Sequence, residues 1–310
     1  MSSPGWVFAF PGLQPVEPAA ARELVRVSPL VEAVVRACDA VVREEGGHSL
    51  LPYWLDERAV LPILDCRLCY PLALSYQLAL VASLAEAGVA PAAAVGLSAG
   101  EPAAAHAAGM IGLADAMRIA FHTASGLELH QRWQRIVSIH APVASVDALI
   151  DEDRDAVDIA IVISDQLTVV SGDALAIDRL LGRSARAGIR HTQVPFAFGA
   201  HNRWMGAMRE PLLHALRGIR PRAATCRYVS ATTGSWLEDP GQVGPEYWWL
   251  HASARISFRE ALDQLWGAGY RRFVEVGPRS LFTAELLRYG GEVCGALDLV
   301  SSCRAVEGVP

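Results

Sequence analysis

The segment Gly96-Leu-Ser98-Ala-Gly100 has the spacing of a nucleophile elbow. A serine on a sharp strand-to-helix turn sits in strained backbone, and flanking glycines remove the side chains that would collide there. Its hydroxyl then projects above the sheet edge. The N–H of Ala99 and the start of the following helix face the place where an oxyanion would form. The apolar stretch Ala92–Val95 before the motif and the amphipathic stretch after it supply the required strand and helix. The motif alone also arises by composition in a chain this rich in Ala, Gly and Ser.

A serine nucleophile needs a base. Of the nine histidines, His106 and His122 fall on helices after the elbow and read as ordinary helix residues. His48, His130, His191 and His214 sit among charged or loop residues and read as surface. His201, in Phe198-Gly-Ala-His201-Asn, follows a strand and a flexible loop, where an imidazole could reach Ser98.

The elements that must carry this pair are legible in part. Trp6–Phe10 is an apolar run ended by Pro11-Gly12, a buried strand with a tight loop. Residues 18–44 and 72–88 carry helical spacing, the latter stopped by Gly88. Helices are expected over 101–109, 113–129, 207–218 and 259–268, and a strand over 273–276. Between them, residues 136–194 read strand, helix, strand, strand, helix, strand. That order is ferredoxin-like. The expected fold class is α/β: an α/β-hydrolase-like large subdomain with a parallel sheet (1–129 and 197–310), and an inserted ferredoxin-like small subdomain (130–196).

Hydrophobic residues make up 52% of the 310 and charged residues 19%, so the chain is globular rather than disordered. A net charge of −6 argues against nucleic-acid binding. All basic side chains in the Lys+Arg count are Arg, which fits GC-rich coding. The pair Cys66-x-x-Cys69 has no second pair at metal spacing, so no metal site is expected. The N-terminus lacks the features of a signal peptide, and apolar runs such as 78–95 fall short of a membrane span. The expected compartment is a reducing cytoplasm.

Several motifs together resemble the malonyl-CoA:acyl-carrier-protein transacylases and the acyltransferase domains of polyketide synthases, over nearly the whole chain. Phe10-Pro-Gly12 resembles the family's FPGQGSQ, and Gly96-Leu-Ser98-Ala-Gly-Glu101 its GHSxGE. Ala107-Ala-Gly109 and Leu113-Ala-Asp-Ala116 follow at the family's spacing. Val170-Ser-Gly-Asp173, Phe198-Gly-Ala-His201, Tyr247-Trp248 and Val274-Glu-Val-Gly-Pro278 resemble its ISG, YASH, YW and EVGP segments. The resemblance implies that Ser98 is acylated and that His201 is general base, then acid. It implies that the backbone carbonyl of His251 orients His201, without the buried carboxylate of a Ser-His-Asp triad. The N–H groups of Ala99 and Leu13 would form the oxyanion hole. Acyl carrier proteins would be donor and acceptor, with the phosphopantetheine arm as substrate carrier and no bound cofactor. Arg154, Arg203, Arg271, Arg272 and Arg279 are candidates for a basic rim steering an acidic carrier.

The chain departs from that family around the acyl pocket. Malonyl enzymes hold the substrate carboxylate with an Arg at the position that is Thr123 here, and a Thr hydroxyl supplies neither charge nor fork. The family's His before the nucleophile is Leu97, its Gln is Tyr70 and its Asn is Ala231. With Phe198 and Gly199 these form the expected substrate-binding set. The changes point to an acyl group without a carboxylate. Stand-alone relatives lacking this Arg suggest a shuttle of aminoacyl or dipeptidyl groups between carriers in macrolactam polyketide biosynthesis. An editing acyl hydrolase, a malonyl/acyl-CoA:carrier transacylase and a non-catalytic carrier-docking module are the alternatives.

Overall fold

The computed structural model describes residues 5–60, 65–130, 133–193, 198–296 and 298–299. Two sheets organise them. The larger has the order β11 (Glu292–Gly295), β10 (Arg272–Glu275), β1 (Trp6–Phe10), β2 (Ala93–Gly96), β7 (Arg227–Ser230) and β8 (Ser235–Leu237). All neighbours are parallel except β7 and β8. β1 and β2 lie near the middle, buried on both faces, which explains their continuous apolar runs. Their register pairs Phe10 with Gly96, so both chains leave the sheet side by side at its carboxyl edge. That edge is where open α/β sheets place their ligands.

The smaller sheet has the order β6 (His191–Gln193), β3 (Gln134–Ile139), β5 (Leu167–Asp173), β4 (Val157–Ser164) and β9 (Ile256–Ser257). Helices Val143–Ile150 and Ala174–Arg186 complete the ferredoxin-like βαββαβ order. Val137, Ile139, Val146, Ile177 and Leu180 form its separate core. Asp173 caps the second helix by accepting from Leu175 N and Ala176 N at 3.0 Å. The small sheet also borrows β9, which pairs in parallel with β4 and comes from far along the chain. The expected subdomain limits fall beside residues 131–132 and 194–197, which lie outside the described residues.

The expected helices form with shifted bounds, and Leu51–Leu55, Pro245–Ser253 and Thr283–Arg288 are helices that the sequence reading did not place. Residues 18–44 form two helices, Pro18–Val27 and Pro29–Glu44. Ser28 breaks them and caps the second through Val31 N at 3.1 Å. The expected helix 72–88 begins earlier, as Cys66–Glu86, with Pro71 inside it. One proline removes one backbone donor, a loss this helix offsets by near-complete burial. By length and composition it could cross a membrane, contrary to the sequence reading; in the fold it packs against helices Pro29–Glu44 and Leu113–His130 as a core element. Strands β7, β8, β9 and β11 were not expected from the sequence.

Gly100 locks the elbow onto the loop after β1. A Cβ there would lie 2.4 Å from the carbonyl oxygens of both Phe10 and Pro11, backbone atoms that cannot rotate away. Gly188, by contrast, has φ +69° with open space around it. Gly100→Ala should therefore lower stability by about 1–3 kcal/mol or more through overpacking. Gly188→Ala should cost about 1 kcal/mol from backbone conformation alone. Denaturant unfolding of both variants checks the ranking, which the reverse order would contradict.

Candidate active site

Among the described residues, the two non-glycine residues with positive φ are Ser98 (49°) and His201 (56°). Such backbone is costly for an L-residue and persists only where its surroundings impose it. Here the surroundings bring the two together: Ser98 Oγ and His201 Nε2 lie 2.8 Å apart across 103 residues of sequence.

Ser98 opens a short 3₁₀ turn between β2 and helix Glu101–Ala107. The loop after β1 closes over it. A Cβ on Gly12 would stand 3.4 Å from Leu97 O and 3.7 Å from Ser98 Cβ. Gln77 Nε2 fixes that loop by donating to Pro11 O at 2.8 Å. Both proposed oxyanion donors, Ala99 and Leu13, accordingly line the same cavity as Ser98.

His201 is held from the small sheet. Ala200 N donates to Ser171 Oγ at 3.1 Å. Asn202 Nδ2 donates to Ser171 Oγ at 2.9 Å and to Gln134 Oε1 at 2.6 Å. Asn202 Oδ1 in turn accepts from Trp204 N at 3.0 Å, capping the turn that follows. From the large subdomain, Ala252 O accepts from His201 N at 3.3 Å. Burial pushes the His201 imidazole down to about 3, helped by His251 nearby. The backbone carbonyl of His251 and the charge of Glu101 act the other way. Nδ1 of His201 makes no hydrogen bond of ordinary geometry among the described residues, so the expected contact with the His251 carbonyl is not a hydrogen bond. Catalytic hydrogen bonds are often loose before substrate arrives. The other candidate bases near the elbow are engaged elsewhere, His106 Nδ1 with Ile111 O at 3.2 Å and His122 Nε2 with Glu45 Oε2 at 2.9 Å.

A narrow cavity of about 40 Å³ opens over the pair. Of the residues expected from sequence, Leu13, Tyr70, Ser98, Ala99, Thr123, Phe198, His201 and His251 line it. Leu97, Ala231 and Gly199 do not. Leu97 and Ala231 are packed into the core on the opposite side of the sheet, with Val95 and Phe258. Gly199 is needed for close approach: a Cβ would lie 2.2 Å from Gln134 Oε1. Leu127, Ala200 and Ala252 line the cavity and were not expected. Leu127 lies four residues after Thr123 on helix Leu113–His130, a helical spacing that could have found it.

Glu101 is the other residue the sequence reading left without a role. It is fully buried. Burial alone would raise its carboxyl, but the adjacent His251 and the Tyr247 hydroxyl hold it below the ordinary carboxylate range. The Cys66-x-x-Cys69 thiols are not poised for chemistry, since burial pushes Cys69 up to about 12 and Cys66 well above its ordinary range.

The five arginines considered for a basic rim are each engaged. Arg154 pairs with Asp147 at 3.0 Å, Arg203 with Asp158, and Arg279 with Glu17 at 2.6 Å. Arg272 lies 3.8 Å over the Trp6 ring and 3.4 Å from Glu292, and Arg271 donates to the carbonyls of Trp266 and Tyr270. Much of the positive charge of that set is therefore balanced locally.

Comparison with known proteins places this geometry. The acyl transferase domain family matches residues 7–304. The chain is 32% identical over 302 residues to polyketide synthase GfsA of Streptomyces halstedii, covering 94% of the chain and 4% of the synthase. It is 32% identical over 284 residues to erythronolide synthase EryA3 of Saccharopolyspora erythraea, covering 91% of the chain and 9% of the synthase. The chain thus spans a small fraction of these relatives. Among solved structures, a loading acyltransferase from the avermectin modular polyketide synthase superposes with TM-score 0.90 at 28% identity, covering 97% of this chain and 99% of that one. An MCAT from Streptococcus pneumoniae shares the fold, with TM-score 0.82 at 18% identity over 96% of this chain and 99% of that one. The chain belongs to the acyl transferase domain family and is an acyltransferase.

Proposed function

We propose that this acyltransferase moves an acyl group without a carboxylate, such as an aminoacyl or dipeptidyl group, between acyl carrier proteins in polyketide biosynthesis. The transfer runs through an ester on Ser98. The observation that carries the reading is Thr123, 4% exposed on the wall of a cavity that no Arg lines among the described residues. A buried carboxylate without a cation costs several kcal/mol. Neutral His201 offers it no charge, and the Glu101 carboxylate behind His251 would repel it. The hydroxyls of Tyr70 and Thr123 are buried with no hydrogen-bond partner among the described residues. They favour an acyl group that is uncharged but can hydrogen-bond.

In this reading His201 Nε2 takes the Ser98 proton as Oγ attacks the donor thioester carbonyl. The oxyanion forms against the N–H groups of Ala99 and Leu13. The donor phosphopantetheine thiolate leaves and takes the proton from the imidazolium. An acceptor thiol then reverses the steps, and water in its place would make the enzyme an editing hydrolase. The cavity of about 40 Å³ holds only a few atoms, so a longer acyl chain requires wall side chains such as Leu127 and Phe198 to move. No disulfide joins the described cysteines, and Cys303 lies outside the described residues.

Intact-protein mass spectrometry should show Ser98 acylated by acetyl- or propionyl-CoA in preference to malonyl-CoA. Thr123→Arg should shift that preference toward malonyl by about ten- to a hundredfold, the worth of a charge-assisted hydrogen bond. Preferential malonyl labelling of the unaltered enzyme would contradict the reading. Because burial holds His201 near 3 rather than near 6.5, its base form persists as pH falls from 7 to 5. Acylation rates should then show no acid limb near pH 6.5. The unfolded chain takes up this proton below about 6.5 while the folded one does not, so stability contributed here is present above that pH and is lost on descending toward 3. An acid limb centred at 6.5 in stopped-flow acylation would show that His201 is solvated instead.

A further inference from the structure

A single buried carboxylate lies behind both members of the reactive pair. Glu101 is tied to the elbow by its backbone, its N–H donating to Ser98 O. Its Oε1 accepts from Tyr228 OH at 2.9 Å and from Tyr247 OH at close range. Its Oε2 accepts from Thr232 Oγ1 at 3.2 Å and lies 3.6 Å from His251 Nδ1. The Thr232 proton is committed to Glu101, so at 3.1 Å from Thr232 Oγ1 it is His251 Nδ1–H that donates. This fixes the His251 tautomer and ring. The same stretch of backbone, one residue on, receives the His201 N–H, and the two imidazoles meet edge-on at 5.9 Å.

We propose that Glu101 is a positioning residue: through Thr232 and the side chain of His251 it sets the backbone against which His201 rests, while its own N–H holds the Ser98 turn. The inference depends on the reading of Ser98 and His201 as nucleophile and base. It differs from a Ser-His-Asp triad because the carboxylate touches neither reacting residue. A shared anchor keeps the distance between Ser98 and His201 fixed, and small misplacements of reacting groups are costly in rate.

A fluorophosphonate tests this without knowledge of the acyl group. Ser98 Oγ forms a bond to phosphorus, fluoride leaves, and the serine proton passes to His201. Intact-mass detection gives both the rate constant and the fraction labelled. Glu101→Gln should lower the rate constant at saturating probe by roughly ten- to a hundredfold, with the labelled fraction and half-saturating concentration unchanged. A merely structural role would reduce the labelled fraction and leave the rate constant of the labelled population alone. Asp39→Asn removes a different buried carboxylate, which accepts from Leu50 N at 2.7 Å, and should leave the rate constant intact. If Glu101→Gln does not accumulate folded, Thr232→Val removes the bridging hydroxyl at nearly constant volume and should slow labelling about three- to tenfold. A wild-type rate constant in whichever of these accumulates overturns the proposal. Failure of the unaltered enzyme to label at Ser98 would instead overturn the reading on which it rests.

Discussion

The contact between Ser98 Oγ and His201 Nε2 is the constraint the rest of the structure serves. It joins residues 103 apart, each in a left-handed backbone conformation that neither residue type favours. Neither conformation could be held by its own segment. Ser98 is fixed by the packing of Gly100 against the carbonyls of Phe10 and Pro11, which in turn needs β1 and β2 adjacent and in register. His201 is fixed between Ser171 and Gln134 of the small sheet and the backbone after His251. The site exists only where the two sheets meet, a common place for a ligand.

Burial shapes what that site can do. With few polar partners and a depressed imidazole, the cavity supports the proposal of a neutral acyl group over an ionised one. Ionised groups near it are compensated. Glu101 has its ring of hydroxyls and His251, and the surface arginines considered for carrier steering have their own partners. In the proposed transfer, recognition of a carrier would rest on shape and on the phosphopantetheine arm more than on an open field of positive charge.

Much of this was legible in the sequence where a local rule sufficed. The elbow needed glycines at fixed spacing, and the insert announced itself by its βαββαβ order. The fold class follows from those two signals, and the acyltransferase assignment from motifs whose order along the chain matters. Helix Cys66–Glu86 started earlier than expected because Pro71 reads as a boundary, whereas burial on all sides overrides it. Strands β9 and β11 are short and have no alternating pattern of their own, so only tertiary pairing defines them. Leu97 and Ala231 were expected at the pocket because they stand where the resembled family has a His and an Asn beside its Arg. Successive strand residues point to opposite faces, and these two point into the core beneath the sheet. Glu101 lay in plain view within the elbow motif, but its partners come from residues 228–251, so its role could not be read locally.

The measurement that bears most directly on the account follows one acyl group from carrier to carrier. A donor carrier protein loaded with acetyl, propionyl or alanyl thioester is mixed with the enzyme, removed, and replaced by an empty acceptor carrier. Intact-mass spectra are taken throughout. The account predicts an ester on Ser98 that is absent in Ser98→Ala and that passes to the acceptor thiol faster than to water. No ester from any neutral donor, or an ester released only as free acid, would contradict it.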